Sequence, residues 1–147
     1  MNPAARSCPA GIVFRRVQTS PEREAAVGLL VDSGVPVPTV HGPGTLLFGL
    51  WDLAAADPEV LVGVVATRSL DAAAAVEPCG LAVRAGQRGR GLGRRLLAEV
   101  ADTLRAAGAA RLITRPAPAH SPAAALLARA GFAATGGTDA GWLYLEL

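Results

Sequence analysis

Apolar residues in this chain fall into short alternating or continuous blocks, and in three places their spacing widens to the i, i+3, i+4 pattern of a helix face. Ile12 to Val17 reads as a first strand. Ser20 followed by Pro21 is a helix start with cap and first-turn proline in their preferred places. Glu22 and Glu24 sit favourably in the first turn, and Ala26, Leu29 and Leu30 supply an apolar face that runs out near Gly34. Between Val35 and Gly44, three prolines and two glycines oppose regular structure and predict a loop. Thr45 to Leu53 and Val60 to Thr67 are rich in leucine, valine and aromatics and read as a hairpin.

A strand from Val76 to Val83 follows, in which Pro78 and Gly80 predict a bulge or a late start. Leu92, Leu96, Leu97, Val100 and Leu104 then recur on one helical face as far as Gly108. Arg111 to Arg115 is a short strand, and the helix separating it from the previous strand predicts a right-handed parallel crossover. Ser121 and Pro122 start a last helix closed by Gly131, and Phe132 to Thr135 and Trp142 to Leu147 are two final strands. The expected fold class is α/β: one domain over residues 11–147, with a mixed sheet of about six to seven strands and flanking helices. The first ten residues are expected to be a disordered extension.

Composition narrows the function classes. Half of the 147 residues are hydrophobic, but the longest strongly apolar runs, VLVGVV and LLFGLW, have the length of strands and predict no membrane association. A net charge of +2 without aromatics interleaved among the arginines argues against nucleic acid. Two cysteines, Cys8 and Cys79, make neither a disulfide framework nor a metal site, and no signal-peptide core precedes Ile12. The expectation is a cytoplasmic protein that holds no metal.

What stands out is the passage from Val83 to Leu97, VRAGQRGRGLGRRLL. Gly86, Gly89, Gly91 and Gly93 let the backbone approach a ligand closely, and a helix beginning near Leu92 leaves its first amides without internal partners. Arg88, Arg90, Arg94 and Arg95 add positive charge to an end that is already positive, which favours a bound anion. A Walker loop is excluded because all fourteen basic residues are arginine. The dinucleotide fingerprint fails because Arg94 and Leu96 stand where its third glycine would be. What fits is R-x-x-G-x-G at Arg88, Gly91 and Gly93, between an apolar strand and a leucine-rich helix.

This segment resembles the acyl-CoA loop of the GCN5-related N-acetyltransferases, the GNAT family, and ALLARAGF, ending in Gly131 and Phe132, resembles the family's helix that closes on Gly-Phe. The resemblance implies two central parallel strands splayed apart, with the pantetheine of acetyl-CoA in the gap. Leu81, Ala82 and Val83 would line the pantetheine. The amides of Gly89, Arg90, Gly91, Gly93 and Arg94 would hold the pyrophosphate, with Arg88 as an assisting cation and His120 near the pantetheine end. Glu77 is the carboxylate placed most like the family's general base; its alternative role is a solvated turn glutamate beside Pro78. His120 is otherwise a capping or exposed histidine, and Cys79 a small buried hydrophobe.

The chain departs from the pattern at His120, where the family has asparagine, and at Leu127, where it has the tyrosine acid. A thiolate whose conjugate acid has a pKa of about 8.5 leaves without much help, so the departure implies slower chemistry rather than none. The implied activity is acetyl transfer from acetyl-CoA to a small-molecule or peptide primary amine, by direct attack in a ternary complex, in a monomer or homodimer. The alternative is an acyl-CoA-binding regulatory module without turnover.

Overall fold

A computed structural model of the chain describes residues 11–35, 44–53, 60–70, 75–115, 121–134 and 143–147. The hydrophobic blocks become seven strands of one sheet: β1 (Ile12–Arg16), β2 (Thr45–Asp52), β3 (Val60–Ser69), β4 (Ala75–Val83), β5 (Arg111–Thr114), β6 (Ala133–Ala134) and β7 (Leu143–Glu146), in the order β1-β2-β3-β4-β5-β7-β6. Every neighbouring pair is antiparallel except β4 and β5. The helices are α1 (Ser20–Asp32), α2 (Leu92–Ala106) and α3 (Pro122–Ala130).

The sheet is buried on both faces, which is why β2 and β3 read as continuous apolar runs rather than as alternation. On one face Phe48, Leu50, Val62, Val65, Val76 and Leu112 meet the stripe of α2 that the heptad-like spacing predicted, with Leu126 and Leu127 of α3 beside it. On the other face Leu47, Trp51, Leu61, Val64, Ala66 and Ala82 pack against Ala26 and Leu30 of α1. Helix α2 comes so close that a Cβ on Gly63 would lie 2.9 Å from Leu96 Cδ1.

Several boundaries shift for local reasons. The cap of α1 is Thr19, one residue earlier than expected, because Glu22 then sits three residues on and completes a capping box. Thr19 Oγ1 accepts from the Glu22 amide at 3.3 Å, and Glu22 Oε1 accepts from the amides of Gln18 and Thr19 at 3.1 Å. The first of the two final strands is described at Ala133–Ala134, with Thr135 outside the described residues, and it starts one residue later than expected. Phe132 instead donates its amide to Leu127 O at 3.0 Å as α3 closes and buries its ring in the core. Trp142, the glycine-rich turn before it, the loop 36–43 and residues 1–10 lie outside the described residues.

The box around Glu22 has a consequence in acid. The hydrogen bond from Arg15 (2.9 Å), ahead of those from the two amides, lowers the Glu22 carboxyl from 4.5 to about 2. A carboxyl depressed in the folded state contributes stability above its unfolded value and loses it as the pH falls through the folded one. The stability that Glu22→Gln removes should therefore be measurable by denaturant titration at pH 6 and vanish near pH 2.

Candidate active site

Strand β4 is parallel to β5 only at Ala75 with Arg111 and Val76 with Leu112. Beyond Val76 the two strands part, and the edge of β4 from Glu77 to Val83 that faces away from β3 has no paired strand among the described residues. A cleft of about 810 Å³ opens along the last part of this edge. Its floor is Leu81, Ala82 and Val83, its far wall Ala123, Ala125 and Leu126 of α3, and its mouth the turn into α2. The splay expected between the two central strands is thus present, and three of the residues named for it line it.

The turn is built as the glycines require. β4 ends where the Arg84 amide donates to Val62 O at 2.8 Å, and a 3₁₀ turn over Ala85–Gln87 leads to Gly89 and Gly91. These two have φ of 82° and 74°, the left-handed region that disfavours a side chain by ~1 to 2 kcal/mol. The first i→i−4 bond of α2 runs from the Arg95 amide to Gly91 O at 3.0 Å, so the amides of Leu92, Gly93 and Arg94 precede the ladder and have no acceptor within the helix. Gly89, Gly91, Gly93, Arg88 and Arg94 all face the cleft.

Other assignments change. Gly93 does not serve an unusual φ; a Cβ there would stand 3.2 Å from Leu126 Cδ2 and 3.7 Å from Leu81 Cδ2, so its bareness lets α3 and β4 close on the first turn of α2. The side chain of Arg90 does not line the cleft; its guanidinium donates to Gln87 Oε1. Arg95 points the other way, donating to Ile12 O at 3.0 Å and fastening α2 to β1. Arg88 Nε donates to Val83 O at 3.2 Å, which holds the guanidinium over the end of β4.

The bulge falls at Cys79, since Ala66 pairs with Gly80 but Thr67 with Pro78. It lies between Pro78 and Gly80, the two residues that predicted an irregularity. Pro78 has no N–H to continue the ladder, and one extra residue absorbs the gap. Cys79 Sγ donates to Ala66 O at 3.6 Å, and burial pushes its thiol above its ordinary value, as suits a packing residue. Leu127 packs into the core beside α2. His120 lies outside the described residues.

Glu77 is the first residue of β4 past the last pairing with β5. It is buried, and its Oε1 accepts from the Arg68 guanidinium, whose strand position is directly opposite on β3. The solvated turn glutamate is therefore ruled out by burial. Cleft residues to which the sequence reading gave no place in the site are Ser33 after the end of α1, Gln87, Ser121 and Arg129. Arg129 alone carried a signal, standing one helical turn after Ala125 and three residues after Leu126.

A mixed sheet whose two parallel strands part over a cleft, with a glycine-rich turn leading into a helix N-terminus at its mouth, defines an acyl-CoA-dependent acyltransferase domain. Residues 39–132 match the model of the Acetyltransferase (GNAT) family, and the chain belongs to that family of N-acetyltransferases. No curated protein matches it significantly in sequence. Among solved structures it is similar to the IAA acetyltransferase of Bacillus cereus (TM-score 0.71, 18% identity, 92% of this chain and 99% of that one). The ribosomal-protein-S18-alanine N-acetyltransferase of Escherichia coli gives 0.69, with 20% identity over 92% and 93%. A Bacillus subtilis acetyltransferase solved with CoA gives 0.69, with 16% identity over 92% and 99%. Among the described residues no helix is long and apolar enough to cross a membrane.

Proposed function

We propose that the protein transfers an acetyl group from acetyl-CoA to a primary amine by direct attack in a ternary complex. The observation that carries this reading is the continuity of the cleft, from the unpaired edge of β4 at Leu81 to Val83 to the open amides at the start of α2. The amides of Gly89, Arg90, Gly91, Gly93 and Arg94 would take the pyrophosphate, because oriented N–H groups at a positive helix end suit a dianion. Arg88 and Arg94 would add charge from the walls. The unpaired edge of β4 at Leu81 to Val83 would be matched by the pantetheine amides, sparing a desolvation cost of ~1 to 3 kcal/mol per group.

In the reaction the amine nitrogen attacks the thioester carbonyl carbon, the C–S bond breaks, and CoA leaves as thiolate. An amine with a lysine-like pKa of about 10 must lose a proton to attack. Glu77 would take it: the ion pair to Arg68 uses Oε1, and Oε2 is the oxygen available to a proton, directly or through a water. A second reading, an acyl-CoA sensor without turnover, draws support from Leu127 lying in the core where the family's acid would be.

Acetyl-CoA should raise the melting temperature, since binding to the native state alone stabilises by ~2.7 kcal/mol at a hundredfold excess over Kd. An unchanged melting curve at millimolar acetyl-CoA would overturn both readings. Release of free CoA across a panel of amines separates them: turnover supports the transferase, and tight binding with no turnover supports the sensor.

A further inference from the structure

The sheet carries a polar row that the acetyl-CoA cleft does not use. Thr45 on β2 pairs with Arg68 on β3, and Arg68 pairs with Glu77 on β4, so the three side chains stand abreast on one face of adjacent strands. Alternation places them on the face of Leu47, Ala66 and Ala82, the one that α1 covers. The next row in, Leu47, Ala66 and Gly80, is roofed by the end of α1: a Cβ on Gly80 would meet Val35 Cγ1 at 2.9 Å. The polar row therefore lies just past the roof, about 7 Å along β4 from the bulge at Cys79, with Glu77 on the strand that continues to Leu81 and the cleft.

Its chemistry is unusual for a sheet interior. The Glu77 carboxylate is 9% exposed and Arg68 45%, so the pair shows its donor side outward. The carboxylate keeps the guanidinium firmly protonated. Beside them Thr45 Oγ1 is buried without a hydrogen-bond partner, in a residue 9% exposed. An orphaned buried hydroxyl costs stability, and its retention beside an ion pair with free guanidinium N–H groups indicates a polar ligand that reaches all three.

We infer that this row is the acceptor site and that the acceptor is an amino acid, its carboxylate held by the free N–H groups of Arg68 and its amine set toward Glu77, with the Thr45 hydroxyl bonding between them. The inference rests on the transferase reading and adds the substrate class to it. The planar fork of a guanidinium matches a carboxylate in two parallel hydrogen bonds. An amine lacking the carboxylate would leave the outward face of Arg68 to water and the Thr45 hydroxyl without a partner.

The test compares the proteinogenic amino acids with their α-carboxamides, which keep the amine and remove the charge. CoA release is followed at saturating acetyl-CoA, and each compound is also titrated calorimetrically into the protein with and without CoA. The best amino acid should exceed its carboxamide by about ten- to hundredfold in kcat/KM and in affinity. Arg68→Lys, which keeps a partner for Glu77 but loses the fork, should cut that ratio about tenfold. Thr45→Val should raise the melting temperature while raising KM for the amino acid severalfold, a combination that a merely structural threonine would not give.

Equal use of amino acid and carboxamide, or an unchanged ratio in Arg68→Lys, would overturn the inference while leaving amine acetylation intact. So would failure of every amino acid both to bind and to react. Failure of acetyl-CoA to bind would instead remove the transferase reading, and the calorimetric arm with the unloaded protein would still decide whether the row takes amino acids.

Discussion

Glu77→Gln should lower kcat by about 10² to 10⁴, the range for loss of a general base, with acetyl-CoA affinity nearly constant. The substitution is close to isosteric. A glutamine keeps an oxygen to accept from Arg68, and the half-exposed guanidinium can stay charged in contact with water, so the strand pair should persist. What is removed is the only feature the reaction requires of this residue, an oxygen that can take a proton from the amine. The comparison should be made on a folded variant, with kcat read at saturating acceptor so that loss of acceptor binding does not enter. Wild-type activity should rise with pH as the amine deprotonates. Leu127→Tyr should change kcat only modestly, since the thiolate leaves readily and a tyrosine there must first leave the core position that Leu127 occupies. Full activity in Glu77→Gln would remove the base assignment.

Gly91→Asp should abolish acetyl-CoA binding without unfolding the protein. At φ 74° a side chain is strained, but aspartate is among the residues that tolerate this region best, and a Cβ there would meet nothing within 4 Å. Gly91 caps α2, and an aspartate at a cap offers its own carboxylate to the open amides of the first turn. It would thus occupy the anion site and repel the pyrophosphate together, an effect of ~1 to 4 kcal/mol per close pair of charges, or roughly five- to a thousandfold in Kd. Calorimetry should find weak or no binding, while the unliganded melting temperature moves little. Gly91→Ala carries the backbone strain without the charge and should lose far less affinity. Equal losses in the two variants would mean that backbone shape, rather than an anion site at these amides, governs binding.

Much of this was legible in the sequence, and for identifiable reasons. The strand–glycine turn–helix passage, the stripe of α2, the Ser121 cap and the closing Gly131 depend on residues within a turn or two of one another: local periodicity, local φ and local hydrogen bonds decide them. The same locality made the parallel crossover readable, since a helix between two strands admits few arrangements. Even the bulge near Pro78 followed from a missing N–H, although its position at Cys79 needed the pairing with β3.

Only the tertiary structure decided which side chains do different work from what their motif suggested. Gly93 is bare because Leu126, from a helix thirty residues on, packs against it. Arg90 and Arg95 share the loop's charge but turn to Gln87 and to the carbonyl of Ile12, partners that composition cannot reveal. Glu77 reads as either a base or a turn carboxylate beside a proline until strand register sets it opposite Arg68 and burial takes it from water. Thr45, Arg68 and Glu77 are scattered over more than thirty residues and carry no spacing at all. Sheet pairing alone makes them neighbours, because side chains meet across a sheet by register, and register is set by the burial of the whole apolar face.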